Sequence, residues 1–223
     1  MNMKSNINKV TFGDIKGNHP LLKKQIEIAV KASGCDAPVL IYGKTGTGKE
    51  LLSRAIHNNS ARKEKAFEAQ NLSAVPANLF ESLFFGTESG AFTDAVESKG
   101  LFQLADGGTV LLDELNSMPV FLQSKLLRFL QDGLVRRLGG LTEEAVDVRV
   151  IAAVNEDPEE LVERGILRAD LFYRLNVIRI NVPSLDEHKE DIPIYVEHFI
   201  EKANRRYGKE IKGVSDDVIS ELG

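Results

Sequence analysis

The stretch Gly43-Lys44-Thr45-Gly46-Thr47-Gly48-Lys49 decides the fold. It follows the apolar run Pro38-Val39-Leu40-Ile41-Tyr42 and opens onto Glu50-Leu51-Leu52-Ser53-Arg54-Ala55-Ile56. The order is strand, glycine-spaced loop, helix. Glycines at this spacing let the backbone fold back until its N–H groups converge on an anion. The following helix directs its positive end to the same point, and Lys49 reaches the outer phosphates. The alternative is a glycine-rich turn that binds nothing, and the flanking strand and helix weigh against it. Position 50 departs from the general pattern. A Ser or Thr hydroxyl usually stands there as a magnesium ligand, whereas the Glu50 carboxylate repels phosphate unless it turns away or meets the metal through water.

Outward from that loop, 223 residues with 43% hydrophobic and 27% charged content can bury a core and form one full domain plus a fragment. Thirty-three acidic against 28 basic residues give a net charge of −5, and the Lys and Arg are scattered. Nothing marks a nucleic-acid footprint, so any DNA contact is expected from a domain outside this chain. Met1-Asn2-Met3-Lys4-Ser5-Asn6 lacks the apolar core of a signal peptide, and no run approaches the roughly 20 apolar residues of a membrane span. Cytoplasm is the expected compartment and no membrane partner is expected. Cys35 is the single cysteine, which excludes an internal disulfide framework and a cysteine-based metal cage.

Strands alternate with helices along the chain. Asn18-His19-Pro20 starts a helix with Leu22, Ile26, Ala29 and Val30 on one face and Gly34 as its stop. Ala66 to Asn71 reads as a short strand ending in an amide, and Pro76 to Phe84 as a helix. From Phe85 to Gly100 the chain is rich in Gly, Ser, Thr and Ala around Phe92, too small and flexible for a core element, and is expected to protrude as a loop. Thr109-Val110-Leu111-Leu112 is a buried parallel strand presenting Asp113-Glu114 at its C-terminal edge. Ser117 and Pro119 start a helix with Leu122, Leu126, Phe129 and Leu130 on one stripe. Val146 to Val154 is a further strand ending at Asn155. Helices near Pro158 to Arg164 and Arg168 to Leu175 precede a last strand at Val177 to Val182. Such alternation means an open parallel sheet, α/β in class. Pro183 to Asp191 reads as a charged linker. Ile192, Tyr195, Val196, Phe199, Ile200 and Ala203 then form a helical stripe of a second unit that looks cut off at Gly223.

Behind a phosphate loop, two carboxylates at a strand end have separate tasks: Asp113 to hold the water shell of magnesium and Glu114 to polarise an attacking water. Alone, the pair would read equally well as solvated charges.

These residues resemble the AAA+ ATPases, and more narrowly the bacterial enhancer-binding proteins that activate the sigma-54 form of RNA polymerase. In that family the phosphate loop also ends in Gly-Lys-Glu, as Gly48-Lys49-Glu50 does here. The narrower match rests on Phe85-Gly86 followed by Gly90-Ala91-Phe92-Thr93-Asp94-Ala95, similar to the family's Gly-Ala-Phe-Thr-Gly-Ala signature, with Asp94 in place of Gly. The resemblance covers Phe12 to about Asp191.

It implies a five-stranded AAA+ P-loop NTPase fold with a lead-in at 1–11, an ATPase subdomain at 12–183, and a linker with a truncated helical lid at 184–223. It implies ATP and Mg2+ as cofactors. By the same resemblance, the 90–95 loop contacts sigma-54 polymerase from the pore of a hexameric or heptameric ring. Asn71 would restrain the catalytic glutamate, Asn155 would serve as first sensor, and Arg168 and Arg174 as paired arginine fingers. Ile15 and Gly17 would flank the adenine, and Arg137 with Gly139-Gly140 would form the second pore loop. For Arg174, the local alternative is an i,i+4 ion pair with Asp170. For the whole chain, the alternatives are an AAA+ remodeller with another client or a nucleotide-binding switch with little hydrolysis. Leu115-Asn116-Ser117-Met118-Pro119 looks like regulators of amino-acid catabolism in Gram-positive bacteria.

Overall fold

The structure, a computed structural model, describes residues 10–91, 96–215 and 217–219. A short 3-10 turn at Phe12–Asp14 precedes helix α1 (Pro20–Ser33), strand β1 (Val39–Tyr42) and helix α2 (Lys49–Asn58). Strand β2 (Phe67–Asn71), helix α3 (Phe80–Phe85), the single-turn helix α4 (Leu101–Leu104) and strand β3 (Thr109–Asp113) follow. Next come helix α5 (Val120–Asp132), the hairpin β4 (Leu134–Arg136) and β5 (Glu143–Ala145), and strand β6 (Arg149–Val154). Helices α6 (Pro158–Glu163) and α7 (Ala169–Leu175), strand β7 (Ile178–Asn181) and helix α8 (Ile192–Tyr207) complete the order.

Five strands form one parallel sheet in the order β2-β3-β6-β1-β7. β1 lies between β6 and β7, so its residues are apolar on both faces, and the two-residue period of a strand sorts them. Leu40, Val110, Leu112, Ala152 and Val154 join one cluster with Phe84, Phe102, Leu126, Phe129 and Leu171 from α3, α4, α5 and α7. Val39, Ile41, Leu111, Ile151, Ala153 and Ile180 join the other with Ala29, Leu52 and Ile56 from α1 and α2. Each such side chain contributes about 1.5–3 kcal/mol when fully buried, and the alternation fixes which helices cover which face. The sheet thereby brings the C-terminal ends of β1, β3 and β6 to one edge, where the phosphate loop, Asp113 and Asn155 emerge.

Three expectations need correction. The stem of the Phe85–Gly100 segment is not a free loop: Phe85 and Thr87 are buried, and α4 begins directly after Gly100. Phe102 of α4 stacks on Phe129 with ring centroids 3.8 Å apart, a contact that four residues of sequence do not announce. The strand expected from Val146 begins at Arg149. Residues 143–145 pair instead with 134–136, and Val146 N donates to Gly133 O, because the chain must first close that hairpin. The 183–191 segment contains two 3-10 turns, Leu185–Glu187 and Lys189–Asp191, and Asp191 is buried, so it is packed rather than a solvated linker. Beyond it, the stripe Ile192, Tyr195, Val196, Phe199, Ile200 and Ala203 lines an open apolar groove of about 430 Å³. Among the described residues no helix is long and apolar enough to cross a membrane.

Candidate nucleotide site

The phosphate loop starts where β1 ends. Gly43 N donates to Val154 O on the neighbouring strand, and a Cβ at Gly43 would meet Thr47 Oγ1 and Val182 O at 2.8 Å each, so only glycine fits. Gly46 and Gly48 take φ of 86° and 88°, the left-handed region open to glycine. Thr47 closes the loop on itself, donating from N (3.3 Å) and Oγ1 (2.8 Å) to Lys44 O. α2 then begins at Lys49 with its first amides directed at the loop, as a helix N-terminus must to hold an anion.

Lys49 is buried and donates from Nζ to Gly43 O (2.7 Å) and Lys44 O (3.2 Å), so its stem crosses beneath the loop and braces it. Burial pushes the ammonium below its ordinary value, while Asp113 and Glu114 pull it back up. Asp113 feels the reciprocal field: burial raises its carboxyl and Lys49 opposes that, with a net upward displacement. Glu50 does turn away from the loop. Its Oε1 accepts from Arg54 Nε (2.9 Å) and Nη2 (2.8 Å) one turn along α2, and Arg54 in turn lies 4.7 Å from the ring centroid of Phe67. The i,i+4 spacing of Glu50 and Arg54 could have revealed this pairing in the sequence.

Glu114 is the one non-glycine residue with positive φ among the described residues, at φ 55° and ψ 50°. A left-handed glutamate costs about 1–2 kcal/mol. Its amide donates to Asp113 Oδ1 at 3.0 Å, so the strand end and the turn are closed by the first carboxylate while the second is redirected. Asn71 pairs in register with Asp113 on the adjacent strand, yet its Oδ1 accepts from Ser73 N (2.9 Å) and Ser73 Oγ (2.7 Å), and no hydrogen bond joins it to Glu114 among the described ones. Asn155 Oδ1 is buried without a partner at the end of β6. An orphaned acceptor after β6, the strand paired with the one that ends in Asp113, fits a hydrated magnesium ion. Among the described residues no cluster of three His, Cys, Asp or Glu could hold a metal ion.

The arginines lie elsewhere. Arg168 caps α7 from outside the helix and grips Asp170 with two bonds (Nε 3.0 Å, Nη2 2.7 Å). Arg174 donates from Nε (3.2 Å) and Nη2 (2.7 Å) to Leu130 O at the C-terminal end of α5. The expected Asp170–Arg174 alternative is thus replaced: Asp170 serves Arg168, two residues before it, and the helix end of α5 attracts Arg174. Neither arginine bonds the phosphate loop, Asp113 or Glu114. Sequence reading missed Gln123, a buried side chain that accepts from Arg168 N (2.9 Å) and donates to Met118 O and Ile166 O, so that it sets α7 on α5. A lone glutamine on an apolar stripe carries no such signal.

Ile15 packs into the same cluster as Val182, whose carbonyl abuts Gly43, and Gly17 takes φ 124°. Of the signature loop, Gly90 and Ala91 are described, and Phe92, Thr93, Asp94 and Ala95 lie outside the described residues. The stem is tied by the Thr87–Ser98 pair (2.9 Å each way) and by Glu88 N donating to Leu138 O (2.9 Å). Leu138 N donates to Gly86 O (3.0 Å). Arg137 Nη1 lies 2.9 Å from Glu97 Oε1 and 3.4 Å from Glu88 Oε1, one partner on each side of the loop.

Comparison with known proteins matches residues 15–181 to a family described as the Sigma-54 interaction domain. The transcriptional activator RocR of Bacillus subtilis is 45% identical over 97% of this chain and 48% of its own length. The DNA-binding transcriptional regulator NtrC of Escherichia coli is 46% identical over 89% of this chain and 43% of its own length. The structure of NtrX from Brucella abortus in complex with ATP superposes with a TM-score of 0.88 at 32% identity, over 98% of this chain and 50% of that one. The chain spans about half the length of these relatives or less. A match over most of the chain, relatives above 40% identity and a parallel sheet edged by this phosphate loop place it in one family: the chain belongs to the sigma-54 interaction domain family of AAA+ P-loop NTPases.

Proposed function

We propose that this chain is the ATP-hydrolysing motor of a sigma-54-dependent transcriptional activator, working in a hexameric or heptameric ring in the cytoplasm. The observation that carries the proposal is the convergence at one sheet edge of a braced phosphate loop, a buried lysine and the Asp113-Glu114 pair, with Glu114 turned by a left-handed backbone. Loop amides and Lys49 bind the phosphates of ATP, with Gly43 to Gly48 setting the curvature and Ile15 and Gly17 at the base. Asp113 and the unpartnered Asn155 Oδ1 would hold Mg2+ through water, and the ion would neutralise charge on the phosphates. Glu114 takes up a proton from the attacking water. Asn71 stands on the adjacent strand as the group that restrains it until ATP is sensed.

Arg168 and Arg174 act on a neighbouring subunit's nucleotide, supported by their distance in the bonding pattern from this chain's own loop. Arg168 must release Asp170 to do so, and such an exposed, solvent-screened pair is weak. The Gly90-Ala91-Phe92-Thr93-Asp94-Ala95 loop meets sigma-54 polymerase, and DNA is met through a domain beyond this chain. A remodeller with another client shares every feature except that loop.

The test is to trap a full-length protein containing this domain with a transition-state ATP mimic and measure capture of sigma-54 holoenzyme, alongside turnover across a hundredfold dilution. We expect capture only with the mimic and turnover per subunit that climbs with concentration. No capture would leave the remodeller with another client. A constant turnover, or wild-type rates in Arg168→Ala and Arg174→Ala, would rule out shared sites.

A further inference from the structure

Asp191 is buried at the start of α8, far in sequence from the phosphate loop, and both its oxygens accept bonds from the N-terminal segment. Its Oδ1 accepts from Asn18 N at 2.7 Å and its Oδ2 from His19 N at 3.1 Å, while His188 Nδ1 lies 3.2 Å from Oδ2. The turn wraps so closely that a Cβ at Gly17 would fall 2.8 Å from Asp191 Oδ2 and 2.5 Å from Leu22 Cδ2. Gly17 is therefore glycine for two reasons, its φ of 124° and the carboxylate occupying the space of a side chain. From the next turn of α8, Tyr195 donates its hydroxyl to Lys16 O at 2.9 Å. Lys16, Gly17, Asn18 and His19 are thus strapped to α8 by two side chains, one of them making charge-assisted bonds, which are about twice as strong as neutral ones.

The strapped turn is continuous with the wall of the candidate site. Ile15, immediately before it, shares a cluster with Val182, and Val182 O touches the start of the phosphate loop at Gly43. A cavity of about 220 Å³ opens there between Gly43, Lys44, Val182 and Leu21 of α1, the helix that the strapped turn leads into. On the nucleotide-binding reading the phosphates meet the loop's own amides and Lys49, to which none of the Asp191 and Tyr195 bonds goes. The base is the part of a nucleotide that a wall of this kind can meet.

We infer that Asp191 and Tyr195 are positioning residues for the nucleotide base: they fix the Ile15–Gly17 rim from α8 and so couple base recognition to the placement of that helix. This rests on the nucleotide-binding reading above and adds to it two residues that touch neither phosphate nor metal. In an Asp191→Asn chain the amide NH2 must face one of the two backbone donors, so one bond is replaced by a repulsion and the rim shifts. Tyr195→Phe removes one bond and keeps the packing.

The experiment measures dissociation constants of the full 223-residue chain for ATP and for inorganic tripolyphosphate, by calorimetry, in wild type, Asp191→Asn and Tyr195→Phe. ATP binding is expected to weaken roughly tenfold in Asp191→Asn and roughly threefold in Tyr195→Phe, with tripolyphosphate binding unchanged in both. Equal loss for both ligands would show general collapse of the site and overturn the inference, as would unchanged ATP affinity. If Asp191→Asn does not fold, Tyr195→Phe decides by the same split. Wild-type protein that bound neither ligand would remove the nucleotide reading itself. Wild-type protein that bound both alike would leave that reading standing and remove only the role assigned to the base.

Discussion

Two glycine-rich loops leave the same domain and are shaped by opposite means. The phosphate loop runs seven residues from a central strand to a helix and is held almost entirely by itself: Thr47 and Lys49 bond the carbonyls of Gly43 and Lys44. The signature loop is held at its stem by residues about 40 to 50 positions away, through Arg137 to Glu97 and Leu138 to Gly86 and Glu88. The first kind of loop keeps its form wherever the strand and helix are placed, which suits binding one fixed anion geometry. The second takes its position from a neighbouring hairpin, so moving that hairpin moves the loop. A glycine-rich composition does not distinguish them, but the sequence distance of their partners does.

Breaking the catalytic edge should leave the signature loop untouched. The largest effect is expected from Glu114→Gln, which keeps the left-handed turn and removes the base. Single-turnover hydrolysis should fall ~10²–10⁴-fold with ATP affinity unchanged. A normal rate would show that Glu114 is only a strand-end charge.

Lys49→Ala comes next. It removes the buried cation and the brace beneath the loop together, so calorimetry should show ATP affinity reduced more than about 100-fold. Unchanged affinity would require the phosphate-loop assignment to be dropped.

Gly139→Val sharpens the comparison from the other side. Gly139 takes φ 75°, and a Cβ there would lie 2.6 Å from that of Ala91, so valine must push the two loops apart. A loss of about 1–3 kcal/mol in unfolding free energy is expected, with sigma-54 capture reduced and ATP affinity retained. If ATP affinity fell as far as capture, the two loops would not be independent.

Apolar runs at β1, β3 and β6, the phosphate loop and the carboxylate pair were legible because each is a local pattern with a local cause: period-two burial, glycine spacing, a charge after an apolar strand. Glu50 was legible as an anomaly, and its partner Arg54 sat one helical turn away. α4, the β4–β5 hairpin and Gln123 were not legible. A four-residue helix and three-residue strands hold only because Phe102 meets Phe129 and because the chain closes on Gly133, contacts between segments that sequence order keeps apart. The left-handed backbone of Glu114 belongs to the same class, since nothing in Asp-Glu-Leu demands it and the surrounding turn imposes it.

The parallel sheet, the anion-binding loop, the residue types at its edge and the Glu50–Arg54 pair follow from spacing along one strand or one helix turn, and the sequence suffices for them. Folding alone settled that Arg174 holds the end of α5 and that Asp191 straps the turn before α1. In both cases the partner is a backbone group far along the chain, which only folding brings within about 3 Å of the charged side chain.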